Sequence, residues 1–90
     1  MAGLLKDVRV VDLSAVISGP LCSYQLAMLG AEIIKVEPPG MGDLARRLGG
    51  DPQLNAQLMG VSFLSNNGGK KSVTLNLKSP EGRAILHKHV

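Results

Sequence analysis

The chain has 90 residues, 44% of them hydrophobic, and a formal charge of +3. That length makes one small domain at most, and with one tyrosine and one phenylalanine its core has to be aliphatic. Its basic residues are dispersed apart from Arg46-Arg47 and Lys70-Lys71, and aromatics for stacking are lacking, which argues against a nucleic-acid partner.

No apolar run approaches the length of a membrane span, so no membrane association is expected. The start, Met1 to Asp7, has neither the basic region nor the apolar region of a secretory signal. Cys22 is the only cysteine, which excludes an internal disulfide. The expected compartment is therefore reducing: a bacterial cytoplasm, or an organelle such as the mitochondrion or peroxisome. Cys22 falls early in an apolar segment and reads as a small buried hydrophobe.

Residues 8–13, Val-Arg-Val-Val-Asp-Leu, predict a strand, and residues 32–37, Glu-Ile-Ile-Lys-Val-Glu, predict a second. Both are nearly continuous apolar runs, as suits parallel strands covered on two faces. Between them Pro20 fits a first helical turn and Gly30 the position just past a helix end. Leu21, Tyr24 and Met28 fall at helical spacing, with Leu26 and Leu29 widening the stripe. The opening is therefore β-α-β, with parallel strands joined by a crossover helix packed on the sheet.

Pro38-Pro39-Gly40 ends the second strand. A short helix is expected over residues 44–48, with Asp43 as its N-cap, and Gly49-Gly50-Asp51-Pro52 breaks it. Residues 53–64 fit either a short helix followed by an extended segment or neither. Asn66-Asn67-Gly68-Gly69 marks a turn. Residues 72–77 then alternate, with Val73, Leu75 and Leu77 on one face, and predict a strand with one polar side. Ser79-Pro80-Glu81 opens a last helix that continues through Ala84 and Ile85 toward His89 or Val90. This order is that of an unfinished α/β sheet, and the chain is expected to be the beginning of a larger protein.

The first turn lacks the glycines of a dinucleotide site. Ser18-Gly19-Pro20 stands where G-x-G-x-x-G would be, which excludes the usual nicotinamide-dinucleotide reading. Asp12 ends the first strand and Glu37 the second, where α/β folds put functional carboxylates. Glu37 has the placement of a ribose-binding acid; equally, either acid caps a turn or pairs with Arg46 or Arg47. Ser14 and Ser18 have no histidine placed to activate them. His87 and His89 are two apart, do not share a helix face, and suit a solvated helix C-terminus. No metal-ligand cluster is present in the pattern. Lys70-Lys71 beside Gly68-Gly69 fits either a phosphate-binding turn or a solvated basic one, and the spacing departs from a Walker A motif. The segment thus carries binding features and no self-sufficient catalytic set.

These pieces, in this order, resemble the N-terminal segment of family III CoA-transferases, the CaiB/BaiF family. The resemblance rests on Val8 to Ser14, Ser18-Gly19-Pro20, Leu29 to Glu37, Pro39-Gly40 with Gly42-Asp43 and Arg46, then Asn67, Lys70, Ser72 to Lys78 and Pro80-Glu81-Gly82. It implies a Rossmann-like parallel β-α-β start of a larger domain that binds coenzyme A, with residues 1–90 as its N-terminal part. It implies a homodimer of interlocked subunits, and acyl-CoA and carboxylic acid substrates. It also implies exchange of CoA between carboxylic acids through an aspartyl-CoA thioester on a nucleophilic aspartate downstream of Val90. Asp12 is not that aspartate, and the 90-residue chain alone is expected to be inactive. The related α-methylacyl-CoA racemases share the same opening, and a non-catalytic CoA-binding module is a further alternative. Position by position, the resemblance implies CoA contacts at Ile17 and Ser18 and at Leu75, Asn76, Leu77 and Lys78. Three places depart from the family's habit, the first being Gly68-Gly69, where a single Gly or Arg often stands between Asn and Lys. Asn76 stands where Asp is common, and Pro38 stands where an arginine often meets CoA phosphate or adenine; Lys70, Lys71 or Arg46 would have to compensate.

Overall fold

The structure, a computed structural model, describes residues 3–88. Three parallel strands, β1 (Arg9–Asp12), β2 (Glu32–Glu37) and β3 (Lys71–Thr74), form one sheet in the order β1-β2-β3. Val10 registers with Ile33 and Asp12 with Lys35; on the other side Val36 registers with Val73. Helix α1 (Ser18–Met28) makes the first crossover. The second is a string of short pieces: a 3₁₀ turn (Leu44–Arg47), α2 (Pro52–Ala56) and α3 (Val61–Leu64). Helix α4 (Pro80–Lys88) follows β3. The fold is mixed α/β, with strands and helices alternating as in the start of a Rossmann-like sheet.

The local signals account for most of these boundaries. Gly30, with φ +104°, follows the Leu29 C-cap of α1 in the left-handed region. Asp43 accepts from the Ala45 amide, and Asp51 from those of Gln53 and Leu54, so both acids cap the pieces they precede. Ser79 Oγ accepts from Gly82 N at 3.0 Å and caps α4. The part of the last helix expected at His89 and Val90 lies outside the described residues.

Five expectations are corrected. β1 and β3 are four residues each, shorter than the apolar runs that announced them. β3 lies at the sheet edge with all four residues exposed, so Val73 is not buried by a facing layer. The element after Asp43 is a 3₁₀ turn. Residues 53–64, left open above, hold helical turns and no strand, with Leu58 at φ +60° between α2 and α3. On α1 the apolar stripe is not the buried face. Pro20 and Ser23 are buried, whereas Leu21 and Met28 are exposed. Cys22, beside Leu21 on the outer side, is likewise exposed and not a buried hydrophobe.

The buried apolar residues are few: Ala31, Ile33, Val36, Ala45 and Phe63. Nearly as prominent inside are charged and polar side chains, namely Asp12, Ser23, Lys35, Glu37, Asp43 and Asn67. Buried charge has to be paired and hydrogen-bonded to be tolerated. How these side chains are paired sets the geometry of the loops at the carboxyl ends of the strands.

Candidate functional site

Three buried ion pairs stand at that edge of the sheet. At the end of β1, Asp12 Oδ1 accepts from the amide of Ser14 at 2.7 Å and from its hydroxyl. Asp12 Oδ2 accepts from Ser23 Oγ at 2.5 Å and from Lys70 Nζ at 3.1 Å. The Lys70 ammonium also donates to Pro20 O at 3.0 Å and to Asn67 Oδ1 at 2.7 Å, and is 2% exposed. Burial pushes the Asp12 carboxyl up, but the Ser14 and Ser23 hydroxyls, the Ser14 amide and Lys70 together outweigh it and hold the pKa at about 2. Burial draws the Lys70 ammonium below its ordinary range, against the pull of Asp12.

On β2, Lys35 lies 2.9 Å from Asp43 Oδ2, each side chain 1% exposed, and Lys35 Nζ also donates to Ser14 O at 3.1 Å. Asp43 Oδ1 accepts from Val16 N at 3.0 Å and from Ala45 N at 2.9 Å. Burial raises the Asp43 pKa, and the Ala45 amide, Lys35 and the Val16 amide more than reverse that. At the end of β2, Arg46 grips Glu37 with both arms, Nε to Oε1 at 2.6 Å and Nη2 to Oε2 at 2.8 Å. Glu37 also accepts from Asp43 N at 2.8 Å and from the Ser72 hydroxyl. Arg46 holds the Glu37 carboxyl down to about 2 against burial, helped by Ser72 and the Asp43 amide. The guanidinium carbon of Arg46 sits 3.8 Å over the Phe63 ring centroid, which stacks the pair on the core.

These contacts decide several readings left open above. Asp12 and Glu37 have every oxygen engaged within the protein. Glu37 pairs with Arg46 and does not stand free as a ribose-binding acid. Asp12 pairs with Lys70, not with Arg46 or Arg47. Lys70 is a buried structural cation and not a phosphate ligand, and Lys71 donates to Glu32 at 3.0 Å beside Arg9. Lys70 and Arg46 are therefore engaged within the protein, and the exposed Lys71 stands at the start of β3, away from Pro38.

Between Asp12 and α1 the first turn is held from two sides. Ser14 is bonded to Asp12 through its amide and hydroxyl and to Lys35 through its carbonyl. Gly19 packs so closely that a Cβ there would stand 2.2 Å from Ser14 Cβ. Ile17 is the N-cap residue of α1 and is 53% exposed; Ser18, the first residue of the helix, is exposed too.

A cleft of about 190 Å³ opens beside this turn, lined by Leu13, Val36 and the backbone around Glu37, by Pro38 and Pro39, and by Leu75 through Lys78. It lies outside the carboxyl ends of all three strands, where open α/β sheets take ligands. Leu75 N donates to Glu37 O at 3.0 Å, carrying the β3 ladder one residue past Thr74. Asn76 Oδ1 accepts from Lys78 N at 3.0 Å, and Asn76 O accepts from Ser79 N at 3.1 Å and Ser79 Oγ at 3.0 Å. Asn76 thus turns the chain with a side-chain oxygen, a part an aspartate plays equally well. The expected residues Leu75, Asn76, Leu77 and Lys78 come together in this cleft; Ile17 and Ser18 do not line it but stand on the neighbouring turn. The residues missed by sequence reasoning are Leu13, Val36 and Pro39, together with the positioning pair Lys35–Asp43. A lysine inside the run Ile33-Ile34-Lys35-Val36 is the signal for that pair, since a strand buried on both faces leaves an ammonium in need of a carboxylate.

The cleft has leucine and proline walls, backbone polar groups and a lysine at its rim. At about 190 Å³ it is smaller than the roughly 300–1,000 Å³ of pockets that enclose a whole ligand. Among the described residues no group of three or more His, Cys, Asp or Glu is placed to hold a metal, and no helix is long and apolar enough to cross a membrane.

A parallel sheet with paired carboxylates at its strand ends and a cleft beyond them makes this an α/β domain of the kind that opens on a β-α-β unit. The family model for CoA-transferase family III matches residues 5–90, and the chain belongs to that family. It is 44% identical over 86 residues to a succinyl-CoA–D-citramalate CoA-transferase of Chloroflexus aurantiacus, covering 96% of this chain and 21% of that one. It is 45% identical over 82 residues to the succinyl-CoA:glutarate CoA-transferase of Mus musculus, covering 91% of this chain and 18% of that one. A crystal structure of a hypothetical protein from Mycobacterium tuberculosis superposes with a TM-score of 0.83 at 40% identity, over 98% of this chain and 23% of the other. The chain spans about a fifth of the length of the curated relatives it matches.

Proposed function

We propose that this chain is the N-terminal, CoA-binding part of an acyl-CoA:carboxylate CoA-transferase, an enzyme that moves CoA from one carboxylic acid to another. The observation that carries the reading is the cleft at the strand ends, lined by Leu75 to Lys78. Its apolar walls take the uncharged surface of the coenzyme. Lys78 supplies a cation at the rim, and Ile17 and Ser18 contact the ligand from the adjoining turn. The satisfied state of Asp12, Glu37 and Asp43 supports a binding role for this segment, with the nucleophile supplied by residues outside it. The two curated relatives described above are both transferases, which favours transfer over racemisation. As in the family, the working form is a homodimer within a reducing intracellular compartment.

The test is titration of CoA into the ¹⁵N-labelled chain. Saturable shifts at Leu13, Leu75, Asn76, Leu77 and Lys78 are expected. Pro38→Arg, which restores a guanidinium at the lip of the cleft, should tighten binding about tenfold, the worth of one charge-assisted hydrogen bond. Shifts confined to other parts of the chain, or none at millimolar CoA, would overturn the reading.

A further inference from the structure

Val16 is β-branched and yet sits at φ +72°, a region such residues adopt only under constraint. Asp43 supplies the constraint. The Val16 amide donates to both oxygens of Asp43, at 3.0 and 3.3 Å, from 27 residues away. Asp43 in turn is seated on Lys35 at 2.9 Å, and each of the two side chains is only 1% exposed. Lys35 also donates to the carbonyl of Ser14, two residues before Val16. The same ion pair therefore grips the turn at Ser14 and at Val16. The residue after Val16 is Ile17, the N-cap of α1.

We infer that Asp43, backed by Lys35, is a positioning residue that holds Val16 in the left-handed region and thereby sets how Ile17 and Ser18 are presented to CoA. The inference rests on the CoA-binding reading for its functional half. Its structural half, the hold on Val16, stands apart from any ligand. Asp43→Asn keeps an acceptor oxygen but loses the charge that faces Lys35. A glycine at position 16 adopts positive φ without constraint and no longer needs holding. A proline there has neither the N–H nor the permitted φ, while leaving Asp43 and Lys35 in place.

The experiment uses the 90-residue chain with two readouts: amide hydrogen exchange at residue 16 without ligand, and CoA affinity by calorimetry. Asp43→Asn should speed exchange at Val16 and weaken CoA about tenfold, the fold-change of one charge-assisted hydrogen bond. In a Val16→Gly background the same substitution should weaken CoA much less, a coupling that general loss of stability would not produce. If Asp43→Asn unfolds the chain, Val16→Pro decides: folded protein with CoA binding lost supports the inference, and folded protein with wild-type affinity overturns it. Unchanged exchange at Val16 in Asp43→Asn, or equal losses of affinity in both backgrounds, also overturns it. If the wild-type chain binds no CoA, the functional reading fails, and exchange at residue 16 alone decides whether Asp43 holds the turn.

Discussion

Replacing Lys70 by methionine removes the ammonium that three acceptors share, those of Asp12, Pro20 and Asn67. Breaking a buried ion pair from one side costs about 3–5 kcal/mol, because the remaining charge stays buried without its partner. Asp12 keeps the Ser14 amide and the Ser14 and Ser23 hydroxyls, which places the loss near the lower figure, about 3 kcal/mol. At 0.05–0.15 kcal/mol per residue a 90-residue chain has roughly 5–14 kcal/mol in all, so Lys70→Met forfeits a large share. Adding Asp12→Asn removes the stranded charge, and the double variant should recover about 1–2 kcal/mol over the single one. Urea unfolding followed by circular dichroism measures all three proteins. A loss below about 1 kcal/mol for Lys70→Met would mean that the pair is solvated in practice, as surface pairs are, and that it does not hold the first turn.

Acid should destabilise the chain in a defined window. Asp12 drops from 3.8 and Glu37 from 4.5, each to about 2, so the stability they confer is complete above pH 4.5 and is lost as pH falls toward 2. Together the shifts correspond to several kcal/mol, on the order of 2 from Asp12 and 3 from Glu37. Thermal melts from pH 6 down to pH 2 check this, and a flat profile below pH 4.5 would contradict it. Gly19→Ala drives a methyl against Ser14 and should cost about 2 kcal/mol or more with the turn displaced, whereas Gly50→Ala, with open space around it, should be near neutral. Comparable urea midpoints for the two alanine variants would remove the steric argument.

What the sequence makes legible is local. The β-α-β opening follows from two apolar runs and a helix marked by Pro20 and Gly30, and the caps Asp43 and Ser79 act over two or three residues. The lining at Leu75 to Lys78 follows from resemblance, and Val73, on the apolar face predicted by alternation, is exposed at a sheet edge, because alternation records a preference and not a covering layer. The pairings of Asp12 with Lys70 and of Lys35 with Asp43 are aperiodic and long-range, so composition and spacing leave their partners open. Val16 carries no sign at all in the sequence. Positive φ is ordinarily announced by glycine or asparagine, and here a distant carboxylate imposes it on a valine.

The bond between Asp12 and Lys70 crosses 58 positions of the chain. It gives the first turn a birth order. A ribosome has to deliver the Asn67 loop and Lys70 before Asp12 finds its counter-charge, and Asp43 before Val16 is drawn into place. The earliest segment to emerge is thus completed late, and any shortened chain ending ahead of residue 70 would leave Asp12 without its counter-charge.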